Sequence, residues 1–416
     1  MQSQDYAAPA NLSDVPVPNP LLYSAAHDRF DSVVTHGDAS IAIVVPWMYD
    51  VGGHRVSIGL ARELAAKGNR VRFFVGRMHQ DLRPLVTAGL GLATLDLGRV
   101  IRPVRTSMLK FARYQYSRAL DREVAWMIAK RHAESPFDLV FVVSNEGHWL
   151  PGYLRSVLRP PFPTTAVCVR ELVEHPFWLG YERKRRLART LFSSLYPLAH
   201  EYEIERLRTF DKVFSISSWT SLLLDYFYGI RDVPAFAIVD RMFFEVPING
   251  MGSTYIAVPT AALDRRGVEW VQAVYRHLPA LRTFGRRPVP GVPHAGYLSD
   301  SELVSFLAGA SATLFLFDYE ALGLLPLESL ATGTPVVTFP KQGVWAEHAS
   351  NPGVRFGERP EQLIAGLMEL SRLSTDPAWR LTCRRSVMRF HPDEAIASLW
   401  ARLDSHALQE RPPPEH

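Results

Sequence analysis

The sequence predicts an α/β protein built from two doubly wound halves that face each other across a cleft. Three observations carry that prediction. The run Ile41-Ala42-Ile43-Val44-Val45 is continuously apolar, as expected of a strand covered on both faces of a parallel sheet. A loop containing Gly52-Gly53 follows, then apolar residues at helical spacing (Val56, Leu60, Leu64), a Lys67-Gly68 stop and a second apolar run from Val71 to Val75, which together make a βαβ unit. The same grammar returns late in the chain. Ala312-Thr313-Leu314-Phe315-Leu316-Phe317 runs into a glycine-containing loop and a helix, and Gly333-Thr334-Pro335 closes that helix before Val336-Val337-Thr338.

The remaining elements fill in between. Strands are expected at 139–143, 165–169 and 213–216, with helical patterns at 107–132 and 180–209, and Pro46 is expected to end the first strand. The pattern weakens around 235–250, which suits a crossing between domains. A second set then opens with a strand at 254–258, a helix from about Val268, a strand at 281–284 and a helix at 299–309. It closes with helices near 360–372 and 393–408. The expected boundaries are an irregular leader at 1–37, a first domain at 38–240, a second at 241–390, a C-terminal helix at 391–408 and a disordered tail at 409–416, where three prolines stand in a row.

Composition narrows the function classes. A chain of 416 residues with 47% apolar and 21% charged residues has room for two ordinary cores. No apolar stretch reaches the roughly eighteen residues that read as a membrane span. The first thirty residues lack a basic region followed by an apolar one, so a cytoplasmic protein is expected, and Cys168 and Cys383 do not suggest a disulfide framework. Net charge is only +4, and no nucleic-acid-binding module is visible. Gly52, Gly53 and Gly59 do not form G-x-G-x-x-G, and G-x-x-x-x-G-K-[ST] is absent, which argues against dinucleotide and P-loop chemistry. No Cys/His cluster has metal-ligand spacing, and no Asp-x-Asp pair ends a strand. Basic residues interleaved with aromatics at 105–131 and 180–209 fit either a charged solvent face over an aromatic stripe or a contact with anionic lipid.

The stretch YEALGLLPLESLATGTPVV holds the sharpest candidates. Glu320 stands at a strand-to-helix loop, Gly323 and Leu324 open the helix, and Glu328 follows about two turns beyond Glu320. A helix N-terminus in such a place offers free backbone N–H groups to an anion. This stretch resembles the acid-x7-acid signature of retaining GT-B glycosyltransferases, often called family 4, and GGHRVSIGLARELAAKGNRVRFFV resembles that family's first loop and helix. The resemblance runs over about 40–405, most closely at 41–75 and 296–340. VPT…DRRG…FG…VPHAGYLSDSEL is similar to rhamnosyltransferases that build surface glycans.

The resemblance implies two facing Rossmann-like domains and a nucleotide-diphosphate-sugar as co-substrate, with no metal or other cofactor. Glu328 would hold the ribose hydroxyls and Glu320 the transferred sugar, while Gly53, Gly323 and Leu324 approach the donor. Arg266, or Arg265 in reserve, takes the place of the family's diphosphate-binding lysine. The family's usual Gly-Arg pair is absent, because the strand end reads Ala257-Val258-Pro259-Thr260. His148, in Ser144-Asn145-Glu146-Gly147-His148, resembles a histidine near the transferred sugar, and Glu347 matches a loop near the donor. The acceptor implied is a glycan or lipid-linked sugar bound by the first domain, with peripheral contact to the inner face of the membrane. Three rivals remain from the sequence: a non-catalytic homologue that binds glycan or membrane, a sugar-nucleotide epimerase of the same fold, and a lipid-binding peripheral protein.

Overall fold

The computed structural model describes residues 37–48, 54–101, 113–144, 146–170, 203–231, 233–248, 255–261, 263–317, 320–340 and 342–404, all within one compact unit, Val34–His416. The first lobe contains β1 (Ser40–Met48), α1 (Arg55–Ala66), β2 (Arg70–His79), α2 (Arg83–Gly89), β3 (Thr94–Ile101), α3 (Arg113–Glu134), β4 (Leu139–Val142), α4 (Leu150–Val157), β5 (Thr164–Val169), β6 (Lys212–Ser215) and α5 (Ser218–Tyr228). A short α6 (Arg241–Phe244) lies in the crossing. The second lobe contains β7 (Ile256–Pro259), α7 (Arg265–His277), β8 (Leu281–Phe284), α8 (Asp300–Ala308), β9 (Ala312–Phe315), α9 (Leu324–Ala331), β10 (Val336–Thr338), α10 (Gln342–His348), β11 (Val354–Phe356), α11 (Pro360–Leu373) and α12 (Pro377–Arg385). The last helix is α13 (Pro392–Asp404).

The first sheet has the order β3-β2-β1-β4-β5-β6 and the second β11-β10-β9-β7-β8, and every pairing is parallel. Parallel strands need helical crossovers, so the central strands are covered on two faces, while the edge strand β3 stays largely exposed. β1 is buried at all nine positions for this reason. Ile41, Ile43 and Val45 point into one apolar layer, while Ala42 and Val44 point into the other, the two-residue alternation of a pleated strand. Phe73 and Phe141 join the first layer, Phe74 and Val142 the second. Each such fully buried side chain contributes about 1.5–3 kcal/mol.

Pro46 does not end β1; the strand continues through it to Met48. Pairing with β4 stops at Val44↔Val142, and the register with β2 passes from Val45↔Val75 to Trp47↔Arg77. The amide hydrogen that proline lacks is therefore not needed by the β4 ladder.

Residues 236–244 carry the chain between lobes and belong to the same apolar layer as both, through Phe236, Ile238, Phe243 and Phe244. After the second lobe, the Val239 N–H donates to the Phe390 carbonyl (3.0 Å), and α13 returns toward α1, where Lys67 meets Asp393 at 2.5 Å. Arg241 joins Asp393 (3.0 Å) and Glu63 (3.1 Å), so α1, the crossing segment and α13 share one charged clasp.

Candidate active site

In an open parallel sheet, a crevice forms at the C-terminal strand ends where neighbouring strands send their connections in opposite directions. The orders observed place those points between β1 and β4 in the first lobe and between β7 and β9 in the second. The loop after β9 leads to Glu320, and the loop after β7 leads to Arg265 and Arg266.

Two glycines shape the Glu320 loop. Gly323 caps α9 with φ +79°, and a Cβ there would come within 2.6 Å of Val344 Cγ2. Gly343 lies so close that a Cβ would stand 1.9 Å from the Ala321 carbonyl oxygen, and its N–H donates to the Glu320 carbonyl (3.1 Å). The loop is thus pressed between the starts of α9 and α10, with only hydrogen atoms separating the backbones.

α9 is pinned on one side by Ser329, whose hydroxyl meets the Thr313 hydroxyl (2.7 Å) and the Thr334 carbonyl (3.0 Å). Leu327, Leu330 and Ala331 are buried in the core. Glu328, one residue before Ser329, is only 4% exposed, yet its partner comes from the other lobe. The Arg55 guanidinium, at the start of α1, lies 3.1 Å from the Glu328 carboxylate and 3.2 Å from Asp300 at the start of α8. Burial pushes the Glu328 carboxyl up to about 7, Arg55 opposes that rise, and Asp300 and Asp240 add to it. Arg55 is correspondingly held more firmly protonated, with Glu328 the largest cause.

The other predicted residues are distributed as follows. Arg265 is exposed and bonded to Glu269 (3.0 Å), and Arg266 is exposed with its guanidinium 4.5 Å from the centre of the Trp270 ring. Asp264 caps their helix by accepting from the Gly267 N–H (2.7 Å). Where the family's arginine was missed in the sequence, Thr260 is buried and donates its hydroxyl to the Phe284 carbonyl (3.0 Å). Leu324 is the first residue of α9 and is half-buried. Gly53 lies outside the described residues. The Glu347 carboxylate accepts from the Ser218 N–H at the start of α5 and pairs with Arg389, so it ties the second lobe to the first.

His148 sits after β4 at the first lobe's crevice point, among buried polar groups. Its Nδ1 lies 3.7 Å from Glu203, which also accepts from the Tyr228 hydroxyl (2.5 Å). Ser144 donates to Glu146, and the Trp149 N–H donates to Asp121 (3.0 Å), whose carboxyl burial drives well above its usual range. Beside them, Arg170 at the end of β5 donates to His54 Nδ1 (2.9 Å), and burial keeps that imidazole neutral enough to accept. Among the described residues, no group of three or more His, Cys, Asp or Glu is arranged to hold a metal ion.

Residues 290–371, which include Glu320, Gly323, Leu324 and Glu328, match the family model described as Glycosyl transferases group 1. A sucrose-phosphate synthase from Thermosynechococcus elongatus aligns over 88% of this chain and 98% of its own, with 16% identity and a TM-score of 0.61. A glycosyltransferase from Rickettsia africae covers 88% and 98% at 15% identity and TM-score 0.59. HepE of Anabaena, in complex with UDP and glucose, covers 88% and 100% at 10% identity and TM-score 0.59. No curated protein matches the chain in sequence. The chain has the GT-B fold.

Within the GT-B frame, the two residues that sequence reasoning passed over are Arg55 and Asp300. Arg55 follows the Gly52-Gly53-His54 loop directly, at the first position of a helix, and Asp300 is one residue past the Ser299 cap of α8. Their positions hinted at strand-end loops, but their meeting with Glu328 depends on how the lobes sit. Gly343 was likewise readable only as part of a loop.

Proposed function

We propose that this GT-B protein transfers a sugar from a nucleotide-diphosphate-sugar to a glycan or lipid-linked acceptor, with retention of configuration and without a metal ion. The observation that carries the proposal is the placement of Glu320, Gly323 and Glu328. All three lie on the loop and helix that leave β9 at the crevice point of the second sheet, inside the group 1 segment.

In this reading the buried Glu328 carboxyl takes the ribose hydroxyls, an exchange of hydrogen bonds that a deeply placed carboxyl can make with high selectivity. The backbone N–H groups of Leu324 and Leu325, which open α9 ahead of Pro326, face the sugar or phosphate, where a fixed dipole stabilises anionic charge. Glu320 contacts the transferred sugar. Arg266, with Arg265 beside it, swings from Trp270 to offset charge on the leaving diphosphate. The acceptor enters from the first lobe, past Gly53 and His148. Surface-polysaccharide or glycoconjugate synthesis at the inner face of the membrane is the setting that fits such an acceptor.

The test is a thermal-shift screen with UDP-, GDP-, dTDP- and ADP-sugars, followed by NMR of the products formed with sugar acceptors. Stabilisation by one nucleotide class, absent in Glu328→Ala, and a product of unchanged anomeric configuration support the proposal. Epimerised donor in the absence of acceptor would favour the epimerase reading. No shift with any donor would favour a non-catalytic homologue.

A further inference from the structure

We infer that Arg55, a residue of the first lobe, is a direct ligand for the phosphate groups of the donor nucleotide. The inference rests on the proposed donor site at Glu328 and adds to it. Arg265 and Arg266, the arginines of the second lobe expected at the diphosphate, are engaged elsewhere: Arg265 by Glu269 and Arg266 by the Trp270 ring. Among the described residues, the cation that reaches Glu328 is Arg55, at 3.1 Å, and a second carboxylate, Asp300, holds the same guanidinium at 3.2 Å.

This double hold has a specific consequence. A ribose that hydrogen-bonds to the Glu328 oxygens displaces one of the two direct contacts of Arg55 and leaves the other, with Asp300. The guanidinium stays anchored by Asp300, still charged, next to a nucleotide whose phosphates are the nearest new anion. Guanidinium binds phosphate oxygens through paired N–H donors, so the exchange conserves the number of charge-assisted hydrogen bonds. Glu328 acts here as a stand-in for the phosphate until the nucleotide arrives. Because Arg55 belongs to α1 and Glu328 to α9, the same exchange keeps the two lobes joined around the donor.

The experiment compares nucleosides with their diphosphates. Dissociation constants for uridine and UDP, guanosine and GDP, thymidine and dTDP, and adenosine and ADP are measured by calorimetry on the full chain and on Arg55→Ala and Arg55→Lys. The wild-type chain is expected to bind one diphosphate more tightly than its nucleoside. In Arg55→Ala that diphosphate advantage should shrink by at least about tenfold, with nucleoside affinity equal or higher, since Glu328 is then unblocked. Arg55→Lys keeps the charge and part of the advantage, and serves if the alanine variant does not fold. An unchanged or tighter diphosphate in Arg55→Ala would overturn the inference, as would an equal loss for nucleoside and diphosphate. Failure of the wild-type chain to bind any of the eight compounds would overturn the donor-site reading itself, and this inference with it.

Discussion

Replacing Glu328 by Gln should change how stability depends on pH, with a sign fixed by burial. In the folded chain the carboxyl titrates at about 7, against 4.5 ordinarily, because desolvation outweighs the attraction of Arg55. The folded state therefore holds this proton more tightly than the unfolded chain does. The stabilisation it brings is full below about pH 4.5 and is lost as pH rises through 7. The size of that loss follows from the separation of the two values and is about 3 kcal/mol. Glutamine fills the same space, still offers an oxygen to Arg55 and cannot ionise. The difference in unfolding free energy, wild type minus Glu328→Gln, should therefore fall by up to ~3 kcal/mol between pH 4.5 and 8.

Taking the difference removes the other titrating groups. Asp121, also raised by burial, acts in the same sense, while His54 and His348, both lowered by burial, lose stability as pH falls through the ordinary histidine range. Urea unfolding followed by tryptophan fluorescence at pH 5, 6, 7 and 8 measures both proteins. A flat difference, or one that grows with pH, would refute the reasoning. It would mean that the ion pair with Arg55 keeps Glu328 ionised and that Coulomb attraction, not desolvation, governs the pair.

Other substitutions probe separate parts of the frame. Gly323→Ala combines a φ of +79° with a 2.6 Å approach to Val344 Cγ2, and should cost about 1–3 kcal/mol and abolish the nucleotide-dependent thermal shift, measured by scanning fluorimetry. Arg241→Ala removes the 3.1 Å partner of the buried Glu63 carboxylate, leaving it among the described residues only Arg62 at 3.6 Å, and should cost about 1–3 kcal/mol in chemical denaturation. Arg241 also holds the Asp393 carboxyl below its ordinary value, which stabilises the fold above pH 3.8 and is lost as pH falls. Stability of the Arg241 variant should accordingly depend less on pH in the acid range. Asp264→Ala removes the cap on the Gly267 N–H and should lower stability by about 1 kcal/mol without altering far-UV circular dichroism beyond the first turn of α7.

Local pattern was enough for most of the elements. Strands 281–284 and 336–338 were read to the residue, because each is a short run between turn residues, Pro279 and Gly285 around the first and Pro335 and Pro340 around the second. β3 and β11 escaped notice: TLDLGRVI carries charges and a glycine, and VRF is three residues long, so neither shows a clear period. Pro46 misled for a related reason. Whether proline ends a strand depends on which neighbour its missing N–H would have served, and that is a property of the sheet, not of the residue.

The candidate site divides in the same way. Glu320, Gly323 and Glu328 were legible because they share one loop and helix, where spacing in sequence is spacing in space. The sequence by itself therefore determined the two α/β halves and the position of the acidic loop between β9 and α9. The tertiary structure alone decided who stands opposite that loop. Arg55 is far from Glu328 along the chain, and no periodicity joins them; the pair exists because α1, α8 and α9 converge when the crossing segment and α13 bring the lobes together. Electrostatics inherits that dependence. A glutamate in a helix is an ordinary acid until burial strips its water, and burial is the one quantity a linear pattern does not carry for a residue whose cover comes from another lobe.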